Sequence, residues 1–223
     1  MFKFGDKSIS KLYLGDKPIA RAYLGGKLVY APHTVIEYLE FDGTKYIDTG
    51  MLSTPTSKWE ADFQSDKAVG ETFHAIFGAQ TVSSTGGASY RVSCIIISAN
   101  TCARYVLSGT SISISDKDVG FSSVADANNR HVYGIDVKSY TAYVDSATIK
   151  GTTVANLSTE YPVYIMARNG NGTATNCAKG KLYGFKHWED DVLVQDLIPV
   201  KRSDGVKCMY DRVENKYYEL ITT

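Results

Sequence analysis

The residues most capable of catalysis stand close together in the run EADFQS at positions 60–65. Alternation along a strand would aim Glu60 and Asp62 at one face. Two carboxyl groups about 5–5.5 Å apart on such a face are the machinery of retaining glycoside hydrolysis. The run offers these two carboxyl groups and no third one, since it ends at Ser65. We therefore interpret Glu60 and Asp62 as the polar face of a half-buried strand and expect no glycosidase activity.

Other catalytic or metal-binding patterns are missing from the sequence. The four histidines (His33, His74, His131 and His187) do not neighbour a serine or cysteine in a nucleophile elbow. The four cysteines form no C-x-x-C pair and no zinc-binding spacing. Residues 169–172 lack the glycine spacing of a phosphate-binding loop. The acidic run 189–191 has oxygen ligands that suit Ca²⁺, but a solvated turn explains it better. We expect no cofactor and no metal ion.

Polar residues that suit carbohydrate recognition gather in the run RNGNGTATN at positions 168–176. A sugar site combines an aromatic platform with planar polar groups. Tyr90, Tyr105 or Trp188 would supply the platform if the fold brought it close. The alternative is that Asn and Tyr are abundant here because turns and strands require them. The hypothesis of a glycan site assigns the contacts to Arg168, Asn169, Asn171, Asn176 and Trp188.

The elements that must position these residues are short β-strands. The run SKWEADFQ (57–64) places Trp59, Ala61 and Phe63 on one face and polar residues on the other. This period of two is typical of a half-buried strand. Many such runs are separated by Gly, Asn, Asp and Ser turns, with no helical pattern between them. The sequence therefore predicts an all-β fold, an antiparallel jelly-roll sandwich.

A ten-residue repeat occupies the N-terminal segment, residues 1–32. Phe4, Leu14 and Leu24 align, and each is followed by Gly, then Asp or Gly, then Lys. A period this short suits one strand and one tight turn. We therefore predict a small β-meander of about three strands before the jelly-roll of residues 33–223. The alternative is that the repeat is a sheet of the domain that follows.

The apolar side chains of the repeat cannot all be buried within about thirty residues. The segment therefore needs a partner surface, and we expect it to dock or to oligomerise. The side chains assigned to this contact are Ile9, Leu12, Leu14, Ile19, Leu24 and Val29.

Composition excludes several classes of partner. Lys and Arg together number 24, as do Asp and Glu, so no basic surface for nucleic acid is expected. Apolar runs such as 94–97 and 163–167 are far shorter than a membrane span. The first ten residues lack the apolar region of a secretory signal, so the cysteines are expected to be reduced. Tyrosine is abundant, at 16 residues, as in β proteins that present a binding surface.

Two segments resemble the start and the end of a known type of domain. They are IEYLEFDGTKYIDTG (36–50) and GKLYGFKHWEDDVLVQDLIPVKRSDGVKCMYDRVENKYYE (180–219). Both are similar to concanavalin A-like, laminin-G-like jelly-roll domains of bacteriophage virion proteins and of gut-bacterial surface proteins. The leading repeat resembles short segments that precede such domains in phage tail and head-fibre proteins. In such folds the first and last strands pair.

The resemblance implies a bacteriophage virion accessory protein: a tail, fibre or capsid-decorating component, assembled in the bacterial cytoplasm. Its partners would be other virion proteins, further copies of itself, and host surface glycans bound by a lectin-like domain during host adhesion. Two alternatives stay open, namely a structural decoration protein without a ligand and a polysaccharide-active glycosidase. Related jelly-rolls include endoglucanases with the signature Glu-x-Asp-x-x-Glu, and Ser65 departs from that signature.

Overall fold

The computed structural model describes residues 3–4, 7–8, 13–14, 17–18, 22–24, 27–30, 33–66, 74–81, 90–96, 104–108, 112–114, 129–151 and 158–223. These residues form β-strands joined by turns and loops, without a helix, which confirms the predicted all-β class. Six short strands precede the body: β1 (Lys3–Phe4), β2 (Lys7–Ser8), β3 (Tyr13–Leu14), β4 (Lys17–Pro18), β5 (Ala22–Leu24) and β6 (Lys27–Tyr30).

The strands of the body follow in chain order. They are β7 (His33–Val35), β8 (Leu39–Asp42), β9 (Lys45–Asp48), β10 (Ser57–Ser65), β11 (His74–Thr81), β12 (Tyr90–Ile96), β13 (Arg104–Ser108), β14 (Ile112–Ile114), β15 (Arg130–Asp136), β16 (Thr141–Val144), β17 (Ala147–Lys150), β18 (Tyr164–Ile165), β19 (Arg168–Gly170), β20 (Thr173–Thr175), β21 (Lys179–Glu189), β22 (Val192–Arg202), β23 (Lys207–Asp211), β24 (Lys216–Tyr218) and β25 (Ile221–Thr222).

The body is a sandwich of two large, mainly antiparallel sheets, here named sheet I and sheet II. Sheet I has the strand order β17-β16-β15-β10-β21-β22-β23-β24. Two further strands join it where β21 and β22 separate, because β8 pairs with the start of β21 and β7 with the end of β22. The start of the body is therefore held between central strands of sheet I.

Sheet II has the strand order β14-β13-β12-β11-β18-β9-β25. The hairpin of β19 and β20 joins it through a parallel pairing of β19 with β11. The last strand, β25, pairs with β9 near the start of the body. The expected pairing of the first and last strands is therefore wrong, because the first strand of the body, β7, pairs with β22 of sheet I. The last strand instead covers an otherwise open edge of sheet II.

The core lies between the sheets and follows the predicted alternation. Every second residue of β10 is buried, so Trp59, Ala61 and Phe63 point inwards and are fully buried. Phe77 of sheet II meets Phe185 of sheet I edge to face, with ring centroids 5.7 Å apart, a geometry that aromatic pairs favour. The intervening residues of β10 belong to the outer face of sheet I.

Tight turns connect the long strands of sheet I. Asp190 and Asp191 join β21 to β22 with φ angles of 48° and 65°, which is typical of a two-residue hairpin turn. Both side chains are exposed, so this part of the acidic run is the solvated turn that the sequence predicts. The closing hairpins β22–β23 and β23–β24 also lie where the sequence predicts them.

The N-terminal repeat differs from the predicted three-stranded meander. The described strands β1–β6 pair two by two, one pair within each ten-residue unit, in three separate two-stranded sheets. Phe4 pairs with Lys7, and the equivalent residues pair in the other two units, so two residues separate the paired strands of each unit, as the sequence predicts.

The residues assigned to docking are described only in part. Leu14 has a described side chain, which is 77% exposed. Ile9, Leu12 and Ile19 lie outside the described residues, and of Leu24 and Val29 the structure describes the backbone. The docking role of this segment therefore stays a prediction.

Candidate functional site

The run 168–176 is a short hairpin of sheet II, made by β19 and β20. Asn171 and Gly172 form its turn with φ angles of 53° and 87°, as expected for a two-residue Asn-Gly turn. Arg168 is half-buried, and its Nε donates to Thr175 Oγ1 at 3.3 Å. Burial lowers the pKa of Arg168. Asn171 is exposed at the tip, and Asn176 follows β20.

Asn169 has a structural role that excludes it from a glycan site. Its side chain is fully buried. Its Nδ2 donates to the Pro162 carbonyl at 3.0 Å, and its Oδ1 accepts from the Gly172 amide at 2.7 Å. Both ends of the amide are thus used to hold the turn, and the assignment of Asn169 to a sugar contact is wrong.

Trp188 belongs to the other sheet of the sandwich. It pairs with Lys58 on the outer face of sheet I, whereas the hairpin joins sheet II through the pairing of β19 with β11. A side chain on the outer face of sheet I points away from sheet II, so Trp188 does not supply a platform for the hairpin. Tyr90 and Tyr105 lie in β12 and β13 of sheet II, where the structure describes their backbones.

The outer face of sheet I brings together aromatic and charged side chains from the neighbouring strands β10, β15, β16 and β21. Tyr38, the residue before β8, joins them. We name it the aromatic face and define it by its four rings, Tyr38, Tyr143, Tyr183 and Trp188, with the charged side chains between them. All four rings are partly exposed. This face combines apolar ring surfaces with planar polar groups, the two requirements of a saccharide site.

One end of the aromatic face is ordered by Arg130. Its guanidinium lies 3.9 Å from the centre of the Tyr183 ring. Its Nε and Nη2 donate to the two carboxylate oxygens of Asp62 at 2.8 and 2.7 Å, and these hydrogen bonds raise the pKa of Arg130. Tyr38 packs beside Tyr183 with ring centroids 5.7 Å apart. The bidentate pair thus holds a planar polar group flat over a ring.

The other end of the aromatic face is ordered around Lys58. Its Nζ lies 4.7 Å from the centre of the Trp188 ring and 5.6 Å from that of Tyr143. The Tyr143 hydroxyl donates to Glu60 Oε2 at 2.8 Å, and burial together with this carboxylate raises the pKa of Tyr143. A Cβ on Gly134 would come within 2.0 Å of the Tyr143 ring. Gly134 therefore lets that ring lie flat against β15.

The two carboxylates of the run 60–65 are both engaged on this face. Glu60 and Asp62 lie on the outer side of β10, which confirms the predicted polar face of the strand. Glu60 accepts the hydrogen bond of Tyr143, and Asp62 accepts both bonds of Arg130. Ser65 is buried, so the third position of the glycosidase signature points away from this face.

A second polar cluster, centred on Glu189, lies at the end of β21. Glu189 Oε2 accepts hydrogen bonds from Thr54 Oγ1 at 2.6 Å and from Thr56 Oγ1 at 2.9 Å. Its Oε1 accepts from Ser57 Oγ and from His187 Nε2, the latter at 2.8 Å. Burial alone would raise the pKa of Glu189, but these four hydrogen bonds outweigh burial and hold the pKa below its ordinary value. The carboxylate is therefore ionised in the folded protein.

The geometry around His187 excludes a serine nucleophile. His187 is fully buried and stacks on Trp59 with ring centroids 3.6 Å apart. Burial lowers its pKa and outweighs the opposite effect of Glu189, so the ring is neutral. Ser57 Oγ lies 3.4 Å from Nε2, the nitrogen that also contacts Glu189. A catalytic histidine contacts its serine and its carboxylate through different nitrogens, so this cluster serves stability.

In the part of the chain that the structure describes, no group of three His, Cys, Asp or Glu side chains is placed to hold a metal ion. Within the same residues, no helix has the length and apolar character needed to cross a membrane.

Sequence reasoning missed most of the aromatic face. Tyr38, Lys58, Arg130 and Tyr183 are distant in the chain and meet because β8, β10, β15 and β21 are neighbours in sheet I. The one available signal is the polar set of alternate residues on β10, which the sequence predicts to be the polar face of a half-buried strand.

No protein-family model matches the chain, and no curated protein matches it. Similar solved structures include a point mutant of the NanB sialidase from Streptococcus pneumoniae, with 18% identity and a TM-score of 0.48 over 70% of this chain and 26% of that one. NanB with Optactamide gives 18% identity and a TM-score of 0.46 over 69% of this chain and 25% of that one. The chain thus spans about a quarter of the length of these sialidases.

Proposed function

We propose that this chain is an adhesion module that binds a glycan on the aromatic face of sheet I. The observation that carries the proposal is the arrangement of four partly exposed rings on one sheet surface, with an Arg130–Asp62 pair and other charged groups between them. Rings pack against the apolar faces of a pyranose, and the planar polar groups bind its hydroxyls. Sheet strands hold these side chains at fixed spacing, so little ordering is required on binding.

The aromatic face is preferred to the hairpin 168–176 as the binding site. The hairpin offers Arg168, Asn171 and Asn176, but Asn169 is committed to the turn and Trp188 points outwards from the other sheet. Of the residues first assigned to a sugar, Trp188 is the one that belongs to the proposed site.

We further propose that the module belongs to a bacteriophage virion, as a tail, fibre or capsid-decorating protein. The resemblance of residues 36–50 and 180–219 to phage jelly-roll domains supports this assignment. So do the three N-terminal hairpins, because an isolated two-stranded hairpin is only marginally stable in water and gains from a partner. Host-surface glycans would be the ligands, and other virion proteins or further copies of the chain would be the partners.

A glycosidase is the less favoured alternative. Both carboxylates of the run 60–65 are occupied by neighbouring side chains, and Ser65 is buried behind the face. A decoration protein without a ligand is the second alternative, and the binding experiment below separates it from an adhesin.

The test is a glycan array with the full chain, followed by titration calorimetry with the best ligand. Trp188→Ala should weaken binding about tenfold, the effect of losing one stacked ring. Gly134→Ala should also weaken binding, because its Cβ displaces the Tyr143 ring. Gly184→Ala is the matched control on the same face, because its nearest contact, the Leu197 carbonyl, is 3.6 Å away.

Two results would contradict the proposal. If no glycan binds, the chain is a decoration protein or an enzyme, and a reducing-sugar assay decides between these. If Asn171→Ala abolishes binding while Trp188→Ala does not, the site is the hairpin of sheet II.

A further inference from the structure

Two buried side chains of sheet I each have one oxygen without a hydrogen-bond partner. Gln195 and Asp211 are both 0% exposed, and the atoms are Gln195 Oε1 and Asp211 Oδ2. Buried polar atoms of native proteins nearly always have a partner, because an unpaired one costs stability. This pair lies outside the aromatic face and outside the Glu189 cluster.

The two side chains share the inner face of neighbouring strands. Asp211 pairs with Leu197 across β22 and β23, and Gln195 precedes Leu197 by two residues on the same buried side. Gln195 and Asp211 are therefore diagonal neighbours, within reach of each other. Tyr218 lies beside both, because Gln195 Nε2 donates to its hydroxyl at 2.9 Å and its cross-strand partner Met209 is two residues from Asp211 on β23.

The donors around Asp211 are already used. The amides of Asp196 and Val213 donate to Asp211 Oδ1 at 3.1 and 2.9 Å. Arg212, the adjacent cation in the sequence, instead donates to Asp196 Oδ2 from its Nε at 2.8 Å. Nothing in the described part of the chain donates to Asp211 Oδ2.

The donors around Gln195 are used as well. Its amide nitrogen is shared between the Thr49 carbonyl, at 3.0 Å, and the Tyr218 hydroxyl. That hydroxyl donates to Glu214 Oε2 at 3.2 Å.

The cluster thus contains two carboxylates, Asp211 and Glu214, an amide oxygen and a carbonyl oxygen. One cation is near: Lys216 pairs with Asp211 across β23 and β24, and its Nζ lies 4.7 Å from the centre of the Tyr218 ring. It donates to neither unpaired oxygen, and such a surplus of oxygen acceptors is what a metal cation requires.

We propose that Asp211, Gln195 and Glu214 bind one Ca²⁺ ion at this edge of sheet I. Ca²⁺ takes carboxylate, amide, carbonyl and water oxygens in flexible geometry at about 2.3–2.6 Å. Mg²⁺ requires a near-ideal octahedron, which this irregular set of ligands does not favour. Glu214 is exposed in the turn after β23 and gives the ion a path from solvent. The bound ion would fasten the closing turn 212–215 to the sandwich.

The test is thermal unfolding of the full chain, first with a chelator and then with increasing CaCl₂, with MgCl₂ and NaCl at matched ionic strength as controls. Binding to the folded state raises Tm as the ligand concentration rises, so CaCl₂ should raise Tm above both controls. Tb³⁺ should bind in place of Ca²⁺ and luminesce when excited through Tyr218. Asp211→Asn, which keeps the shape of the side chain, should lose both signals.

Two further variants sharpen the test. Gln195→Glu adds a carboxylate at the site and should increase the CaCl₂-dependent rise in Tm. Asp204→Asn, in the exposed neighbouring turn, should leave it unchanged. If wild type shows neither a CaCl₂-dependent rise nor Tb³⁺ luminescence, a buried water satisfies these oxygens and the proposal is wrong. A rise in Tm that persists in folded Asp211→Asn places the ion elsewhere and also overturns it. If Asp211→Asn does not fold, an unchanged response in Gln195→Glu refutes the site.

Discussion

Replacing Glu189 with Gln should destabilise the sandwich, although the shape of the side chain is kept. The carboxylate accepts hydrogen bonds from Thr54, Thr56, Ser57 and His187. A hydrogen bond to a charged group contributes about 1.5–3 kcal/mol and a neutral one about 0.5–1.5 kcal/mol, so each bond loses about 1 kcal/mol. Glu189 is 23% exposed, and both solvent and rotation of the hydroxyls offset part of this loss. We expect a net loss of about 2 kcal/mol in the free energy of unfolding.

Thermal unfolding by circular dichroism measures this effect. For a chain of this size, 2 kcal/mol corresponds to a fall in Tm of about 4–8 °C. Asp190→Asn is the matched control, because Asp190 is the next residue and its side chain is 73% exposed. Asn tolerates the positive φ of that turn, so the control should change stability by less than about 0.5 kcal/mol.

The pH dependence separates the charge of Glu189 from its packing. Its pKa in the folded state is below the ordinary value of 4.5. Its stabilising effect is therefore present above pH 4.5 and is lost as the pH falls through the lowered pKa. Wild type and Glu189→Gln should thus approach each other in stability at acidic pH. A Glu189→Gln variant as stable as Asp190→Asn at pH 7, or a difference independent of pH, would refute this account.

Three further predictions concern His187, the N-terminal segment and Glu60. Because burial lowers the pKa of His187 below its ordinary 6.5, the unfolded chain binds the proton first. Stability should fall as the pH drops below 6.5, and His187→Gln should show a shallower fall between pH 7 and 5 in the same unfolding assay. Replacing Ile9, Ile19 and Leu24 with Asp should leave a folded body that no longer assembles, measured by light scattering and particle incorporation; an unfolded body would assign the repeat to the domain core. No polysaccharide should be hydrolysed, and a hydrolysis that Glu60→Gln abolishes would contradict the non-catalytic role.

The parts of the fold that depend on local alternation were predictable. Burial of Trp59, Ala61 and Phe63 follows from the period of two along β10, and Asn171-Gly172 marks a turn by composition. The role of Asn169 was not predictable, because a buried Asn that holds a turn and an exposed Asn that binds a ligand have the same sequence signal. The separation of Trp188 from its assigned partners was not predictable either, because it depends on which of the two sheets each strand joins.

The aromatic face was not predictable, because it depends on the register between strands. Arg130 meets Tyr183 and Asp62 through the pairing of β15, β10 and β21, and a slip of one residue would turn each side chain to the other face. In the N-terminal repeat, too, the pairing of strands was not predictable. Gly-Asp and Gly-Gly predict a turn in each unit, but they do not determine whether strands of successive units pair.

A register shift in β21 determines what the aromatic face contains. Asp62 pairs with Gly184 and the next residue, Phe63, pairs with Leu182, so Tyr183 is an extra residue on β21. Such a bulge reverses the alternation of the strand beyond it. Without the bulge, Leu182 would share the outer side of Gly184 and Lys186, and Lys181 would point into the core.

With the bulge, the apolar residues of β21 point into the core on both sides of the irregularity. Leu182 and Phe185 are buried, three residues apart rather than two, while Lys181 and Tyr183 stand on the outer face beside Tyr38. Gly184 lies next to the irregularity. The bulge therefore keeps Leu182 in the core and places Tyr183 and Lys181 on the aromatic face. This is why the proposed binding surface can be altered at Trp188 or Tyr183 without loss of the core that lies beneath it.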